Sequence, residues 1–447
     1  MAKMNSDNIA AISTALGVAG VAVIRVSGSD PLSIAKKIFK PYGKTEVANF
    51  EPNKMYVGEF CADDFSDECM CVYFKAPKSF TGEDVVEFHT HGGIAIVKGV
   101  LEKILNSGAR LAERGEFTKR AFMNGKLSLS SAEGLIDMIN SESVGGVKAG
   151  FALYRERLTA KINDLQNILL DAISQIDVDM DFPEEDVGET SRENVKSDLE
   201  KVANEVDSLI ASYKTGRVLK NGVKVAICGK PNTGKSSLLN ALLSYDKAIV
   251  SGLAGTTRDI VEGSIDYNGI RFNLFDTAGI RETKDEIENI GVELSNRTAK
   301  ASDIVLFVVD ADDFDNNDKE VFDSIKDLNY IVIENKTDKS SKKIDFADIH
   351  ISAKTGENIE KLKSLMYEKT VGVVDSSADY LCEERHLIAL KTAKGSLISA
   401  LNIIATEPLD IIAIDIKNAW SVLGEITGKT ATEEIIDNIF NKFCVGK

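Results

Sequence analysis

The stretch GKPNTGKS, residues 229–236, constrains the fold more than any other part of the chain. It matches the pattern G-x-x-x-x-G-K-[ST], follows the apolar run VKVAICG and leads into SSLLNALL, which is typical of a helix. Backbone N–H groups of such a loop wrap phosphates, Lys235 can reach the β and γ oxygens, and the Ser236 hydroxyl can bind Mg²⁺. A strand, a glycine turn and a helix in this order predict a P-loop nucleotide-binding domain with a mostly parallel sheet.

Four further motifs follow in the order that GTPases show: GTTRD (255–259), DTAG (276–279), NKTD (335–338) and SAK (352–354). Asp338 can accept hydrogen bonds from the N1–H and the exocyclic amine of guanine, whereas adenine presents a different donor pattern. The predicted nucleotide is therefore GTP. The predicted GTP-binding residues are Asn232, Thr233, Gly234, Lys235, Ser236, Ser237, Ser251, Gly252, Leu253, Ala254, Gly255, Thr256, Thr257, Asp276, Thr277, Ala278, Gly279, Asn335, Lys336, Asp338, Ser352, Ala353 and Lys354.

Ile280 follows DTAG, where many such enzymes carry a glutamine that orients the attacking water. These residues alone therefore leave open a protein that binds GTP without hydrolysing it. Asn232 in the P-loop favours turnover, because its amide oxygen could help to hold a monovalent cation against the β and γ phosphates. Spacing does not choose among the nearby polar candidates for water activation, which are Arg281, Glu282, Asp285, Glu286 and Glu288.

The chain changes in character along its length. Short β-like runs with turns occupy residues 7 to about 120, and helical periodicity follows to about 215. Strands and helices alternate from 223 to about 370, and the remainder is helical. We predict a multidomain α/β and α protein with an N-terminal α+β domain (1–120), one helical domain formed by two chain segments (121–218 and 373–447), and an inserted Ras-like G domain (219–372).

Seven acidic and no basic residues in DVDMDFPEEDVGET, residues 177–190, predict a solvated loop broken at Pro183. The formal net charge is −17, and no Lys/Arg tract exceeds a pair. A protein that binds nucleic acid without a partner usually has a basic face. We therefore expect a second protein to provide much of the binding surface for any nucleic-acid substrate. The scattered cysteines, an N-terminus unsuited to a signal peptide and the lack of an 18-residue apolar run predict a cytoplasmic protein that does not enter a membrane.

The chain resembles the MnmE (TrmE) family of tRNA-modifying GTPases over nearly its full length. The matching blocks are DNIAAIST, VAVIRVSG, APKSFTGEDVVEFHTHGG, GEFTKRAFMNGKLSLSSAEGLIDMI, GKPNTGKSSLLNAL and the terminal FCVGK. The resemblance implies an N-terminal tetrahydrofolate-binding domain that forms a homodimer. It also implies work with the FAD-containing partner MnmG in a heterotetramer. Together they add an aminomethyl or carboxymethylaminomethyl group to C5 of the wobble uridine of tRNA, with a carbon from 5-formyl- or 5,10-methylene-tetrahydrofolate.

The resemblance also implies roles for individual residues. The implied folate contacts are Arg25, Glu87, Lys126 and Lys447. The implied K⁺ ligands are Asn232, Ser251, Leu253 and Thr256, and the implied Mg²⁺ ligands are Ser236 and Thr257. The implied catalytic residues are Glu288 for water activation, Arg281, Lys235 and Cys444. Packing is the alternative for Cys444, because a lone thiol often has no chemical role. The chain departs from the family at Arg114, where proline is commoner, and in TALGVAG (14–20), where Pro-Pro-Gly is frequent.

Two other functions stay open at this point. One is a regulatory, ribosome-associated GTPase switch without a part in carbon transfer. The other is a folate-binding scaffold whose GTPase is vestigial. A switch needs no folate pocket, so the residues Arg25, Glu87, Lys126 and Lys447 acting together separate it from the modification enzyme.

Overall fold

The computed structural model describes residues 7–181, 188–245, 263–276, 297–339, 342–372 and 380–447. These fall into two compact units. The first unit consists of residues 1–136, 153–199 and 395–447, and the second of residues 137–152 and 200–394. Within the described ranges, no helix combines the length and the apolarity that a membrane span requires.

The first unit is built on a seven-stranded sheet. Its strands are β1 Ile9–Ile12, β2 Ala19–Gly28, β3 Phe39–Pro41, β4 Met55–Cys61, β5 Ser66–Phe74, β6 Asp84–Gly92 and β7 Arg110–Leu111. The strand order is β3-β4-β5-β6-β2-β1-β7, and every neighbouring pair is antiparallel except β1 with β7. The alternation of residues along β2 sends Ile24 and Val26 to one face and Arg25 to the other.

Helices α1 (Pro31–Ile38) and α2 (Ile94–Asn106) cover one face of this sheet. Asp30 caps α1 by accepting a hydrogen bond from the backbone N–H of Ser33, and Pro31 occupies the first helical position, where no N–H is needed. The side chains between the two layers form one buried apolar cluster, which includes Ile24, Val26, Phe88, Ile34 and Val100. A smaller apolar cluster of Ile9, Ala11, Ala112 and Phe117, with Phe80 beside it, lies on the opposite face.

The remaining helices of the first half of the chain are α3 (Glu116–Met123), α4 (Leu129–Asn140), α5 (Val144–Tyr154), α6 (Arg157–Asp181) and α7 (Gly188–Asn221). The acidic tract predicted as a loop is therefore partly helical, because α6 continues through Asp181 and α7 already begins at Gly188. Only residues 182–187 between them lie outside the described ranges. A run of acidic residues is compatible with the exposed side of a helix as well as with a solvated loop. The charge pattern alone therefore could not distinguish the two, and the loop prediction was wrong for the helical part.

The second unit is built on a six-stranded sheet. Its strands are β8 Val223–Cys228, β9 Gly263–Tyr267, β10 Ile270–Asp276, β11 Ile304–Asp310, β12 Tyr330–Asn335 and β13 Ile349–His350. The order is β13-β12-β11-β8-β10-β9, with β9 antiparallel and the other neighbours parallel. The described helices after β8 are α8 (Lys235–Tyr245), α9 (Asn316–Ile325), α10 (Ile359–Thr370), α11 (Glu384–Ile403), α12 (Leu409–Thr427) and α13 (Glu433–Phe440).

Helices lie on both faces of this sheet, as the apolar runs predict. Leu306 and Val308 of β11 pack with side chains of α8 and α10, whereas Val305, Phe307 and Val309 pack with α9. Strands buried on both faces are typical of parallel sheets, and each such apolar side chain contributes about 1.5–3 kcal/mol on burial. The predicted fold class, an α+β domain with helical segments and an α/β G domain, is confirmed.

A half-buried ionic cluster forms around Lys220, just before β8. Lys220 Nζ is 2.8 Å from Asp137 Oδ1 and also pairs with Glu383. Burial and the neighbouring Glu383 carboxylate raise the pKa of Asp137 to about 8, against the opposing charge of Lys220. One ammonium faces two carboxylates, so a proton on Asp137 makes the cluster neutral.

This cluster predicts that the second unit loses stability as pH rises. Between the unfolded-state pKa of 3.8 and about 8, the folded protein holds a proton on Asp137 that the unfolded chain releases. The free energy of unfolding should therefore fall by up to about 1.4 kcal/mol per pH unit in that window. Asp137→Asn, which stays neutral, should remove most of this fall, whereas Asp323→Asn, at an exposed carboxylate, should leave it intact. Urea midpoints at pH 5.5 and 8 measure the effect, and wild-type pH dependence in Asp137→Asn would contradict it.

Candidate functional site

The predicted nucleotide-binding motifs that the structure describes, namely the P-loop, Asp276, NKTD and SAK, meet at one edge of the second unit's sheet. β8, β10, β11 and β12 run parallel, so their carboxyl ends share that edge. Cys228, Asp276, Asp310 and Asn335 are the last residues of these four strands. Ligands of open α/β sheets bind at the carboxyl ends of the strands, so the fold itself brings the motifs together.

The P-loop connects β8 to α8 and surrounds Lys235. This lysine is 7% exposed, and burial lowers the pKa of its ammonium group, with Asp276 acting in the opposite direction. Lys235 Nζ donates hydrogen bonds to the carbonyls of Gly229 (2.8 Å) and Lys230 (2.7 Å). The ammonium group predicted to contact the β and γ phosphates is thus held inside its own loop.

The candidate Mg²⁺ ligand Ser236 lies beside the end of β10. Its hydroxyl donates a 3.2 Å hydrogen bond to Asp276 Oδ2. Hydroxyl and carboxylate oxygens are ligands that suit a hard divalent cation. The structure therefore brings together Ser236 and Asp276, whereas the second predicted Mg²⁺ ligand, Thr257, lies outside the described residues.

Asn335 connects the P-loop to the base-recognition loops. Its side-chain amide donates to the carbonyl of Thr233 (3.0 Å) and its Oδ1 accepts from the Ala353 N–H (3.0 Å). A Cβ at Gly234 would lie 2.3 Å from Asn335 Nδ2, and Gly234 has a φ of +97°. Only glycine fits there without displacement, so the close approach of the P-loop to Asn335 depends on this position.

Asp338 is the residue expected to bind guanine, and it is exposed. Its Oδ1 accepts a 2.7 Å hydrogen bond from the hydroxyl of Ser352, which is fully buried. That hydrogen bond lowers the pKa of the Asp338 carboxyl, against a smaller effect of desolvation. The carboxylate is thus ionised at neutral pH and oriented by the SAK loop, in which Lys354 is exposed.

Lys336 binds the other side of the P-loop. Its Nζ donates to the carbonyl of Asn232 (2.7 Å) and to Asp310 Oδ2 (2.7 Å). Asn232 is exposed and has a φ of +66°, a left-handed conformation that asparagine tolerates better than most residues. Because Asn232 is exposed, its side chain is accessible from solvent. Ser237 follows in the first turn of α8 and is exposed.

The switch residues predicted from the sequence lie outside the described residues. They are Ser251, Gly252, Leu253, Ala254, Gly255, Thr256, Thr257, Thr277, Ala278, Gly279, Arg281 and Glu288. The predicted water-activating glutamate and three of the four predicted K⁺ ligands are in this set, so their roles remain predictions.

In the first unit, the sheet register pairs Arg25 directly with Glu87 across β2 and β6. Arg25 Nε donates a 2.8 Å hydrogen bond to Glu87 Oε1, and the two side chains are 19% and 14% exposed. Burial raises the pKa of Glu87, but His89, whose Nε2 lies 3.4 Å from Glu87 Oε2, and Arg25 outweigh it and lower the pKa overall. The pair is therefore charged and half-buried.

Aromatic rings beside Arg25 were not among the predicted site residues. The guanidinium lies 5.4 Å from the ring centroid of Phe80 and 5.7 Å from that of Phe117. Lys126 contacts the loop between β5 and β6 that carries Phe80, since its Nζ donates a 2.9 Å hydrogen bond to the Pro77 carbonyl. The sequence signal was that both rings lie in matching blocks, Phe80 in APKSFTGEDVVEFHTHGG and Phe117 in GEFTKRAFMNGKLSLSSAEGLIDMI, but apolar residues do not by themselves predict a site.

The C-terminal tail contacts the start of the first unit's sheet. The Gly446 carbonyl accepts a 3.3 Å hydrogen bond from the Ser13 hydroxyl, and Val445 forms an antiparallel bridge with Arg114. Gly446 has a φ of +99°, and a Cβ there would lie 2.1 Å from the Ile12 carbonyl. The tail thus carries the exposed Cys444 and the terminal Lys447 to the sheet that bears Arg25, although they are more than 400 residues apart in sequence.

Two family models match the chain. One, described as the MnmE helical domain, matches residues 129–444, and the other, described as the N-terminus of the GTP-binding protein TrmE, matches residues 8–126. Together they span both compact units.

Curated relatives match the chain over nearly its full length. A tRNA modification GTPase MnmE of Caldicellulosiruptor saccharolyticus is 40% identical, and the match covers 99% of this chain and 100% of the relative. One from Desulforamulus reducens is 39% identical with the same coverage. Among solved structures, a variant of Aquifex aeolicus Era bound to GDP·AlF4⁻ is 29% identical over 39% of this chain and 67% of its own, with a TM-score of 0.28.

Proposed function

The chain belongs to the MnmE (TrmE) family of tRNA modification GTPases, and from that premise we propose that it is the GTP-hydrolysing subunit of a complex that modifies C5 of the wobble uridine. The group added is aminomethyl or carboxymethylaminomethyl, and its one-carbon unit comes from 5-formyl- or 5,10-methylene-tetrahydrofolate. The chain acts in the cytoplasm as a homodimer and joins the FAD-containing MnmG in a heterotetramer, with tRNA as the substrate.

The Arg25–Glu87 pair is the observation that carries the folate part of the proposal. A guanidinium suits the glutamate carboxylates of folate, and a carboxylate suits the donor groups of the pterin. The ring of Phe80 beside Arg25 is partly exposed and offers apolar surface for a flat heterocycle, whereas the ring of Phe117 is fully buried and supports Arg25 from within the core. The tail with Cys444 and Lys447 lies at the same sheet, which supports a role for it in the same pocket.

The geometry of the second unit supports hydrolysis of GTP. Lys235 would bind the β and γ phosphates, Ser236 and Asp276 would hold Mg²⁺, and Asp338 would orient the guanine. A bound Mg²⁺ supplies positive charge that offsets the charge developing on the phosphates. Asn232, exposed in the P-loop, is suited to contribute a ligand to K⁺, which would act electrostatically as an arginine finger does.

The acidic composition supports the partner in the proposal. With a net charge of −17, the chain lacks the basic excess by which proteins bind tRNA alone, and the flavoprotein partner would supply that surface. The proposal therefore assigns GTP and folate to this chain, and FAD and much of the tRNA binding to MnmG.

Calorimetry with 5-formyl-tetrahydrofolate tests the folate assignment. The full-length protein should bind it, and Arg25→Ala should raise Kd by about 10- to 100-fold, because one or two hydrogen bonds to charged groups are lost. Lys103→Ala is the matched control. Lys103 is a cation of the same domain that lies on α2 and pairs with Asp63, so its removal should leave Kd unchanged. Circular dichroism checks that both variants fold.

Lack of binding by the wild-type protein would refute the folate assignment. In that case the regulatory GTPase switch would become the better account of the chain. Binding that survives Arg25→Ala unchanged would instead show that the pocket lies elsewhere.

A further inference from the structure

Lys230, the second residue of the P-loop, is anchored outside the loop. Its side chain is 10% exposed, although Pro231 and Asn232 beside it are exposed. Lys230 Nζ lies 2.9 Å from Asp318 Oδ2, 3.1 Å from Asp315 Oδ2 and 3.6 Å from Asp313 Oδ2, and it donates a 2.5 Å hydrogen bond to the Asp313 carbonyl. A lysine with this many acidic partners is held in one place. The pKa of its ammonium group is raised, mainly by the hydrogen bond to Asp318.

Two of the three acidic partners of Lys230, Asp315 and Asp318, belong to the start of α9. Asp315 is the N-cap of that helix, and its side chain accepts hydrogen bonds from the N–H groups of Asn317 and Asp318. Asp318 completes a capping box, because its Oδ2 accepts a 3.0 Å hydrogen bond from the Asp315 N–H. Lys230 therefore contacts both residues that start the helix.

Asp318 needs a cation. It is 0% exposed, and its Oδ1 has no hydrogen-bond partner among the described residues. A buried carboxylate is strongly unfavourable unless it is paired with a positive charge. Lys230 is the cation within reach in the described chain, so α9 and the P-loop stabilise each other through this ion pair.

The anchored residue bears directly on the nucleotide site. The backbone carbonyl of Lys230 accepts hydrogen bonds from Lys235 Nζ (2.7 Å) and from the Thr233 hydroxyl (3.0 Å). The far side of the loop is held separately by the Lys336 bond to the Asn232 carbonyl. The P-loop is therefore fixed on one side by Lys336 of the NKTD motif and on the other by α9.

We propose that Lys230 is a positioning residue of the GTPase, whose ion pair with Asp315 and Asp318 holds the P-loop in the conformation that binds phosphate. A loop that is already ordered loses less conformational entropy on binding, so loss of the anchor weakens the binding of GDP and GTP alike. In the bound state the phosphates hold the loop themselves, so the rate constant of hydrolysis at saturation changes little.

Nucleotide binding by the full-length protein tests this proposal, with GDP carrying a methylanthraniloyl label as the probe. Lys230→Met should raise Kd about tenfold, mainly through faster release, whereas kcat at saturating GTP stays within about threefold. Lys230→Arg keeps the charge and the donors, and should restore Kd to within about twofold of the wild type. Lys319→Met, on the exposed side of α9, is the matched control and should bind as the wild type does.

Asp318→Asn separates anchoring from simple electrostatics. Removing a negative charge near the phosphates should tighten nucleotide binding if only charge matters. Loss of the anchor predicts the opposite sign, a Kd raised about three- to tenfold. If this variant does not fold, Asp315→Asn makes the same test at the half-exposed partner of Lys230, where asparagine still caps the helix.

Wild-type affinity in Lys230→Met, failure of Lys230→Arg to restore binding, or tighter binding by a folded Asp318→Asn would each overturn the proposal. These measurements need only guanine nucleotides and this chain, so their result is independent of the folate and tRNA assignments.

Discussion

Asp338→Asn should lower the affinity for GTP by about 10²- to 10⁴-fold and shift the preference of the site to xanthosine triphosphate. The ionised carboxylate accepts from guanine N1–H and the exocyclic amine, and each hydrogen bond to a charged group is worth about 1.5–3 kcal/mol. An asparagine amide presents a donor where guanine also presents a donor. Xanthine has a carbonyl in place of that amine, so it can accept from the new side chain.

The structure explains why Asp338→Asn should change the base preference without disturbing the surrounding loops. Ser352 donates to Asp338 Oδ1, and an asparagine carbonyl at the same place can accept that bond too. Asp345→Asn is the control, because Asp345 is an exposed carboxylate between the NKTD and SAK motifs. This variant should bind GTP as the wild type does. Direct calorimetric titration of each variant with GTP and with XTP gives both affinities. GTP binding by the Asp338 variant at wild-type strength would show that guanine is recognised elsewhere.

Glu288→Ala should reduce turnover severely and leave GTP affinity nearly unchanged. The family resemblance assigns this glutamate to water activation, and a positioned acid–base group contributes about 10²- to 10⁴-fold to a rate. A group that acts only on the attacking water makes no ground-state contact with the nucleotide, so Kd should stay within about threefold. This role would explain how the enzyme works with Ile280 where other GTPases carry glutamine.

Glu286→Ala is the comparison variant, since Glu286 is acidic and lies two residues away. Single-turnover hydrolysis in K⁺ separates chemistry from binding and release. A large loss in Glu286→Ala together with normal turnover in Glu288→Ala would reassign the water-activating residue. Equal, normal rates in both would place water activation outside this segment.

Much of the nucleotide site could be predicted from the sequence because phosphate and guanine chemistry fixes residue types at short spacing. The P-loop, the end of β10, and the NKTD and SAK loops each follow a strand, and parallel strands bring their carboxyl ends together. Such motifs need no knowledge of distant contacts. The fold class was predictable for a similar reason, since apolar runs alternating with helical periodicity identify a parallel sheet.

The contacts that could not be predicted join residues far apart in sequence. Lys230 reaches Asp318 only because β8 and β11 are neighbours in the sheet, and Arg25 meets Glu87 only in the observed register. Arg114, a departure from the family pattern, forms a bridge with Val445 of the tail. Spacing along the chain gives no information on such pairs, because tertiary structure decides them.

Nucleoside analysis by mass spectrometry tests the central claim most directly. The chain is combined with the FAD-containing MnmG, unmodified tRNA, 5,10-methylene-tetrahydrofolate, a nitrogen donor and GTP, in K⁺ or in Na⁺. We expect a C5-modified wobble uridine in K⁺, and its loss in Na⁺, without GTP, or with Glu288→Ala. Unmodified uridine in the complete K⁺ reaction, or equal modification without GTP, would contradict the account.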